Sequence, residues 1–218
     1  LLLISTLAQA TVFETIDGLK YSLDTLNNEA SLITNNHIFR SDIVIPEKIT
    51  SGGKEYTVTS IGKNCFEYNE FTSITIPSSV KSLENYCFSR CKYLTSITIP
   101  SSVTSFDDGC FSHCSALQTI TIPSSVKSLG DHCFAYCGRL TSMNIPSSVT
   151  SLGNECFANC SKFSSITIPS SITSIGNGCF VNCSELTSID ISSSVTSLGD
   201  HCFAYCGGLT SMNIPSSI

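Results

Sequence analysis

The chain has 218 residues, only 13% of them charged, and a net charge of −6. That balance offers no basic stripe for nucleic acid, and the regular Ile, Leu, Val and Phe positions exclude a disordered polymer. Length alone fits one or two globular domains, but an internal period overrides that expectation.

Residues 1–10, LLLISTLAQA, form an apolar stretch ending in Ala8-Gln9-Ala10. They match the apolar core and A-x-A-like cleavage site of a secretory signal, and we read them as the remnant of one. No initiator Met or basic segment precedes them, so the signal is expected to be truncated at its front. The competing reading is a hydrophobic N-terminal strand. No other apolar run approaches the roughly 20 residues needed to span a membrane, and any anchor is expected beyond Ile218.

Residues 11–40 read as an N-terminal β cap. Within it, residues 18–23 (GLKYSL) and Ala30-Ser31-Leu32-Ile33 look like antiparallel strands that shield the first layer of a stack. Residues 41–218 read as a repeat solenoid of about eight layers, truncated where the chain stops mid-repeat at Ser216-Ser217-Ile218. The whole reads as a fragment of a longer secreted or surface protein. Pro46 to Cys65 spans 19 residues against 10 in later layers, so residues 47–56 are expected to form a hairpin-like insertion turning at Gly52-Gly53.

A 23-residue period stamps the rest. Ile-Pro recurs at Pro77, Pro100, Pro123, Pro146, Pro169 and Pro215, with Ser192 standing in once, and Cys-Phe recurs at Cys87, Cys110, Cys133, Cys156, Cys179 and Cys202. A unit this short buries no core alone, so stability must come from stacking neighbours. In the copy Leu94 to Cys114, alternation over Ile97-Thr98-Ile99 predicts a half-buried strand, which Pro100 ends for want of an N–H. Ser101-Ser102 then turn, and Val103 to Phe106 predict a second extended stretch. Asp107-Asp108-Gly109 offers helix-capping chemistry, and the spacing of Cys110, Phe111 and Cys114 predicts a short helical or 3₁₀ turn. Equivalent strands should pair in parallel at about 4.8 Å.

The run L-x-x-I-x-I-P-x-x-V-x-x-I/L-G-x-x-C-F-x-x-C, as in Leu186-Thr187-Ser188-Ile189 with Val195-Thr196-Ser197-Leu198-Gly199, resembles the 23-residue leucine-rich repeat of BspA-like surface antigens. The likeness covers about residues 41–218. One departure is systematic: the small Ala usual before Phe is Cys here, at Cys65 and its six successors. The resemblance implies a right-handed β/α solenoid with a parallel sheet, short helical or 3₁₀ turns and an N-terminal β cap. It also implies an extracellular or cell-surface protein that binds host cells, matrix proteins or other microbes.

A longer repetition overlies the first. Residues 129–149 and 198–218 differ only at Arg139 against Gly208 and Val149 against Ile218. A unique catalytic residue is not expected inside a block carried twice, which weighs against roles for His132 and His201. No G-x-S-x-G, H-E-x-x-H or P-loop pattern occurs, and His37 and His113 are scattered, so the sequence reads as non-catalytic, with no cofactor.

The 13 cysteines admit three readings. Zinc would need four convergent ligands where each layer offers two thiols beside a Phe. Disulfides would suit an oxidising compartment, and stacked cysteines in one column lie close enough to bridge. The favoured reading is two buried thiol ladders filling small slots. Thr75, Thr98, Thr121, Asn144, Thr167, Asp190 and Asn213 form an outward strand column, with Ser73, Ser96, Thr119, Ser142, Ser165, Ser188 and Ser211 parallel to it. This hydroxyl array is either a soluble coat or a face for a partner, including a repeating glycan or, more weakly, ice. Asn159-Cys160-Ser161 and Asn182-Cys183-Ser184 are N-glycosylation patterns, making Asn159 and Asn182 candidate acceptors. The function expected first is adhesion or protein recognition; the alternative is a passive antigenic stalk.

Overall fold

A computed structural model describes residues 11–15 and 17–218; the expected signal remnant lies outside the described residues. Seventeen strands follow one another: β1 (Thr11–Glu14), β2 (Lys20–Asp24), β3 (Glu29–Ile33), β4 (Ile43–Val44), β5 (Lys48–Ser51), β6 (Lys54–Ile61), β7 (Ile74–Thr75), β8 (Ser82–Leu83), β9 (Ser96–Thr98), β10 (Thr119–Thr121), β11 (Ser142–Asn144), β12 (Ser151–Leu152), β13 (Ser165–Thr167), β14 (Ser174–Ile175), β15 (Ser188–Asp190), β16 (Ser197–Leu198) and β17 (Ser211–Asn213). They build a β-solenoid whose layers add along one axis. At its front, β1, β2 and β3 form an antiparallel meander, and β3 joins the stack by pairing in parallel with β6. Leu19, Tyr21, Leu23, Ala30 and Leu32 face inward from this meander and are buried. The expected insertion is the β5–β6 hairpin, turning at Gly52 (φ 58°) and Gly53 (φ 77°), which glycine adopts without a Cβ penalty.

Two parallel ladders run along the stack. The first holds β4, β7, β9 and β10, then β11, β13, β15 and β17; sheet pairing lapses between β10 and β11. Its three-residue strands read exposed–buried–exposed up to β15, the period-2 pattern that alternation predicts. The second ladder runs from β6 through β8, continues as bridges at Phe106, Leu129 and Leu152, and ends in β12, β14 and β16. Between the ladders Ile-Pro-Ser-Ser makes a turn closed by an N–H to the Pro carbonyl, at 3.1 Å for Val80 to Pro77. Because the carbonyl and not the ring closes it, Ser192 serves equally well: Val195 donates to its carbonyl at 3.0 Å.

The short helical or 3₁₀ turn expected at each Cys-Phe pair is not found: the described residues contain no helix. The reason is visible in the hydrogen bonds. Asn64, Phe66 and Tyr68 donate their N–H groups forward to the carbonyls of Asn85, Cys87 and Ser89 in the next layer, at 3.0, 2.8 and 3.0 Å. Only the intervening Cys65, Glu67 and Asn69 donate to carbonyls three residues back. A helix would direct every N–H within its own segment; this arch sends every second one to its neighbour. Two residues per arch, those before each cysteine position, adopt the left-handed conformation, with φ from 51° to 64° in all seven arches. Most are not glycine, so each left-handed residue costs on the order of 1–2 kcal/mol. The ladder bonds that this geometry permits offset that cost.

The core is a column of aromatic rings. Phe66, Phe88, Phe111, Phe134, Phe157, Phe180 and Phe203 stack with centroids 5.4–5.6 Å apart and planes within 9°. Phe39 closes the front edge-on, at 6.2 Å from Phe66. From Gly130 onward the second ladder packs backbone on backbone: a Cβ at Gly130, Gly153, Gly176 or Gly199 would fall 2.3–2.7 Å from the preceding layer's chain.

Candidate functional surfaces

Many of the repeated polar residues prove to be fasteners. Ser102, Ser125, Ser148, Ser194 and Ser217 each donate Oγ–H to a carbonyl one layer earlier, at 2.5–2.9 Å. An Asx ladder runs beside the glycines: Asp108, Asp131, Asn154 and Asn177 each accept, through Oδ1, the backbone N–H of the equivalent residue in the next layer, at 2.7–2.9 Å. Asp108 therefore caps the neighbouring layer and not a helix. Neither ladder was expected. Strict recurrence could have pointed to the second Ser of Ser-Ser, but the first Ser recurs as strictly and is exposed.

The cysteines form two interior columns. In the second, Cys91, Cys114, Cys137, Cys160, Cys183 and Cys206 point their thiols at the carbonyl of the Phe one layer back, at 3.0–3.2 Å. In the first, Cys87 and Cys110 have sulfurs 3.3 Å apart. Burial raises the pKa of thiols in both columns, to about 12 at Cys137 and Cys183 in the second and Cys202 in the first. Protonated thiols of this kind are poor nucleophiles. Among the described residues no group of three or more His, Cys, Asp or Glu is placed to hold a metal ion, and no helix is long and apolar enough to cross a membrane.

Two solvent-exposed surfaces carry the candidate residues. The strand face carries Thr75, Thr98, Thr121, Asn144, Thr167, Asp190 and Asn213, every one exposed, with the parallel Ser73-to-Ser211 column exposed beside it. A shallow depression crosses β11, β13 and β15, lined by Asn144, Thr167 and Asp190 with Ser142, Ser165 and Ser188. The three residues that interrupt the Thr lattice, Asn144, Asp190 and Asn213, all lie in the rear half of the first ladder, the sheet formed by β11, β13, β15 and β17.

The arch edge is the other surface, formed by the second left-handed residue of each layer. The Arg90 guanidinium lies over Tyr68 at 5.2 Å, and His113 stacks on Tyr136 at 4.2 Å and 5°. Burial, then Arg90 and Lys92, lower the His113 pKa and favour its neutral ring. His132 contacts Glu155 at 3.4 Å, while His37 and His201 are exposed and lie far apart in the sequence. Asn159 and Asn182 continue this edge; the Asn182 amide donates to Asn159 Oδ1 at 2.7 Å. Both lie at the surface, Asn182 the more exposed.

The sequence matches the family described as the BspA type leucine rich repeat region, in six copies over residues 59–161 and 108–218. No curated protein sequence matches significantly. Among solved structures, a leucine-rich repeat protein from Bacteroides ovatus is 31% identical with a TM-score of 0.83, covering 94% of this chain and 54% of its own. The chain thus spans about half the length of that relative. The Treponema pallidum leucine-rich repeat protein is 23% identical with a TM-score of 0.78, over 90% of this chain and 91% of its own. A leucine-rich cell surface protein from Faecalibacterium prausnitzii is 23% identical with a TM-score of 0.52, over 95% and 77%.

Proposed function

We propose a non-catalytic recognition role for this chain, which belongs to the BspA-type leucine-rich repeat family. The observation that carries the proposal is the strand face: its inward residues hold the core, which leaves Thr75, Thr98, Thr121, Asn144, Thr167, Asp190 and Asn213 outward at fixed pitch. Such a ribbon suits a large partner better than a small substrate. The depression over β11, β13 and β15 is shallow and open, lined by Met143, Ile166 and Ile189 as well as the polar columns, unlike the enclosed pockets that bind small molecules. The partner we propose is a protein, on a host cell, in matrix or on another microbe, contacted across Asn144, Thr167 and Asp190. A glycan is the secondary class, because the same ribbon is a hydroxyl array.

We further propose that the protein works outside the cell, as an adhesin. The signal-like residues 1–10 and the surface location named for the Faecalibacterium relative support this reading. Immobilised matrix proteins and intact host cells, titrated with the purified chain, test it. Saturable binding that Thr167→Arg abolishes, while Tyr136→Ala on the arch edge leaves it intact, is the expected result. Absence of saturable binding to any of these surfaces sinks the adhesin reading and leaves a passive stalk.

A further inference from the structure

The two cysteine columns are not equivalent in what their sulfurs touch. Every thiol of the second column is committed to a Phe carbonyl. In the first column, Cys65 faces the Ile33 carbonyl at 3.6 Å. Cys133, Cys156, Cys179 and Cys202 lie against the backbone of Phe111, Phe134, Phe157 and Phe180 respectively. Cys87 and Cys110 alone turn to each other, at 3.3 Å. No other pair of sulfurs makes such a contact among the described residues.

We propose that Cys87 and Cys110 are the chain's site of inter-layer disulfide formation. The backbone supports the geometry: Tyr86 and Phe88 donate to Asp108 and Cys110 at 2.8 and 2.9 Å, which holds the two layers in register. Paired at sheet-like spacing of about 4.8 Å, the two Cα atoms fall inside the roughly 4.4–6.8 Å window of natural disulfides. Closing the sulfurs to about 2.05 Å then needs roughly an ångström of side-chain motion. The bridge would tie one layer to the next across a single 23-residue repeat, in a stack otherwise held by hydrogen bonds and packing.

The oxidant is a low-molecular-weight disulfide, RSSR. One cysteine, as thiolate, attacks a sulfur of RSSR, forming a mixed disulfide and releasing RS⁻. The second cysteine, as thiolate, attacks the protein sulfur of that mixed disulfide and releases the second RS⁻. Two thiols are oxidised, one RSSR is reduced to two RSH, and the cysteine protons end on the released thiolates. Both residues are fully buried, so exchange occurs while the layers are opening or still folding, not through the closed wall.

The test is to refold the fully reduced chain in glutathione redox buffer, and separately to incubate the folded chain in it. Free thiols are then alkylated in denaturant without reductant, and the peptides mapped by mass. After refolding, the expected result is a dominant Cys87–Cys110 linked peptide and the loss of two alkylatable thiols out of 13. Folded chain should yield the same link more slowly. Cys110→Ala should remove the linked peptide with no other pair replacing it. Thirteen alkylated thiols after refolding, or links scattered over pairs such as Cys133–Cys156, overturn the proposal. Because the wild-type map decides it, misfolding of the variant leaves the test intact.

Discussion

The backbone N–H of Phe39 donates to Oδ1 of Asn69 at 2.6 Å, inside the protein. Asn69 occupies the place where later layers carry the second cysteine, and its own amide donates to the Glu67 carbonyl at 3.3 Å. A thiol there would offer only a weak acceptor for Phe39. Phe39 covers the open end of the Phe stack, so this one substitution within the repeat anchors the closure of the core. Asn69→Ala should lower stability by about 1–3 kcal/mol, the cost of a buried unsatisfied donor, read as a fall in the thermal midpoint. An unchanged midpoint would show that Phe39 is held by packing alone.

Two glycines of the same chain should behave oppositely. At Gly153 an added Cβ would lie 2.6 Å from the Asp131 nitrogen and the Gly130 carbonyl, backbone atoms that cannot turn aside. At Gly207 it would meet nothing within 4 Å. Gly153→Ala should therefore destabilise the stack by about 1–3 kcal/mol, as overpacking does, while Gly207→Ala stays near neutral. Gly62 meets the same limit, 2.5 Å from the Leu32 carbonyl oxygen, whereas Glu84 and Asp107 hold side chains at the equivalent place in the two layers between. Urea titration of both variants distinguishes them.

The position of a ring in the aromatic column should set its weight. Phe134 lies between Phe111 and Phe157, at 5.5 and 5.6 Å, and meets the edge of Phe106 at 6.2 Å. Phe203, the last ring, stacks on Phe180 alone and is only partly buried. Phe134→Ala should cost about 3–5 kcal/mol, and Phe203→Ala clearly less, because the terminal site can relax into solvent. Equal losses at the two positions would contradict a core built by nearest-neighbour stacking.

How much of this was legible in the sequence depends on whether one layer or two are involved. The period announces the solenoid, Ile97-Thr98-Ile99 announces an alternating strand, and Gly52-Gly53 announces the hairpin turn; each rests on local chemistry. The Cys-Phe arch misleads because i, i+1, i+4 spacing suits a helix equally well. What decides against a helix is the forward bond from Phe88 N–H to Cys110, 22 residues away, which no local window contains. The Asx ladder from Asp108 to Asp200 is hidden for the same reason. The outward strand column was readable from alternation alone, yet the depression over Asn144, Thr167 and Asp190 appears only when adjacent layers are stacked.

The thiol columns predict a one-sided response to pH. An ordinary thiol titrates near 9, whereas Cys137, Cys183 and Cys202 are pushed to about 12, chiefly because burial disfavours the thiolate. Their folded pKa thus exceeds the unfolded one. Below pH 9 both states hold the proton and the thiols' contribution to stability is complete. Between pH 9 and 12 the unfolded chain releases protons that the folded chain retains, so stability falls as pH rises, by roughly 1.4 kcal/mol per pH unit for each fully shifted thiol. Several thiols acting together should make alkaline unfolding steep, with thermal midpoints flat from pH 7 to 8.5 and dropping sharply above pH 9. Replacing Cys137 and Cys183 by Ala should lessen that slope even if it lowers the midpoint at neutral pH. A midpoint that stays level through pH 10.5 would mean that the columns open to water before the chain unfolds.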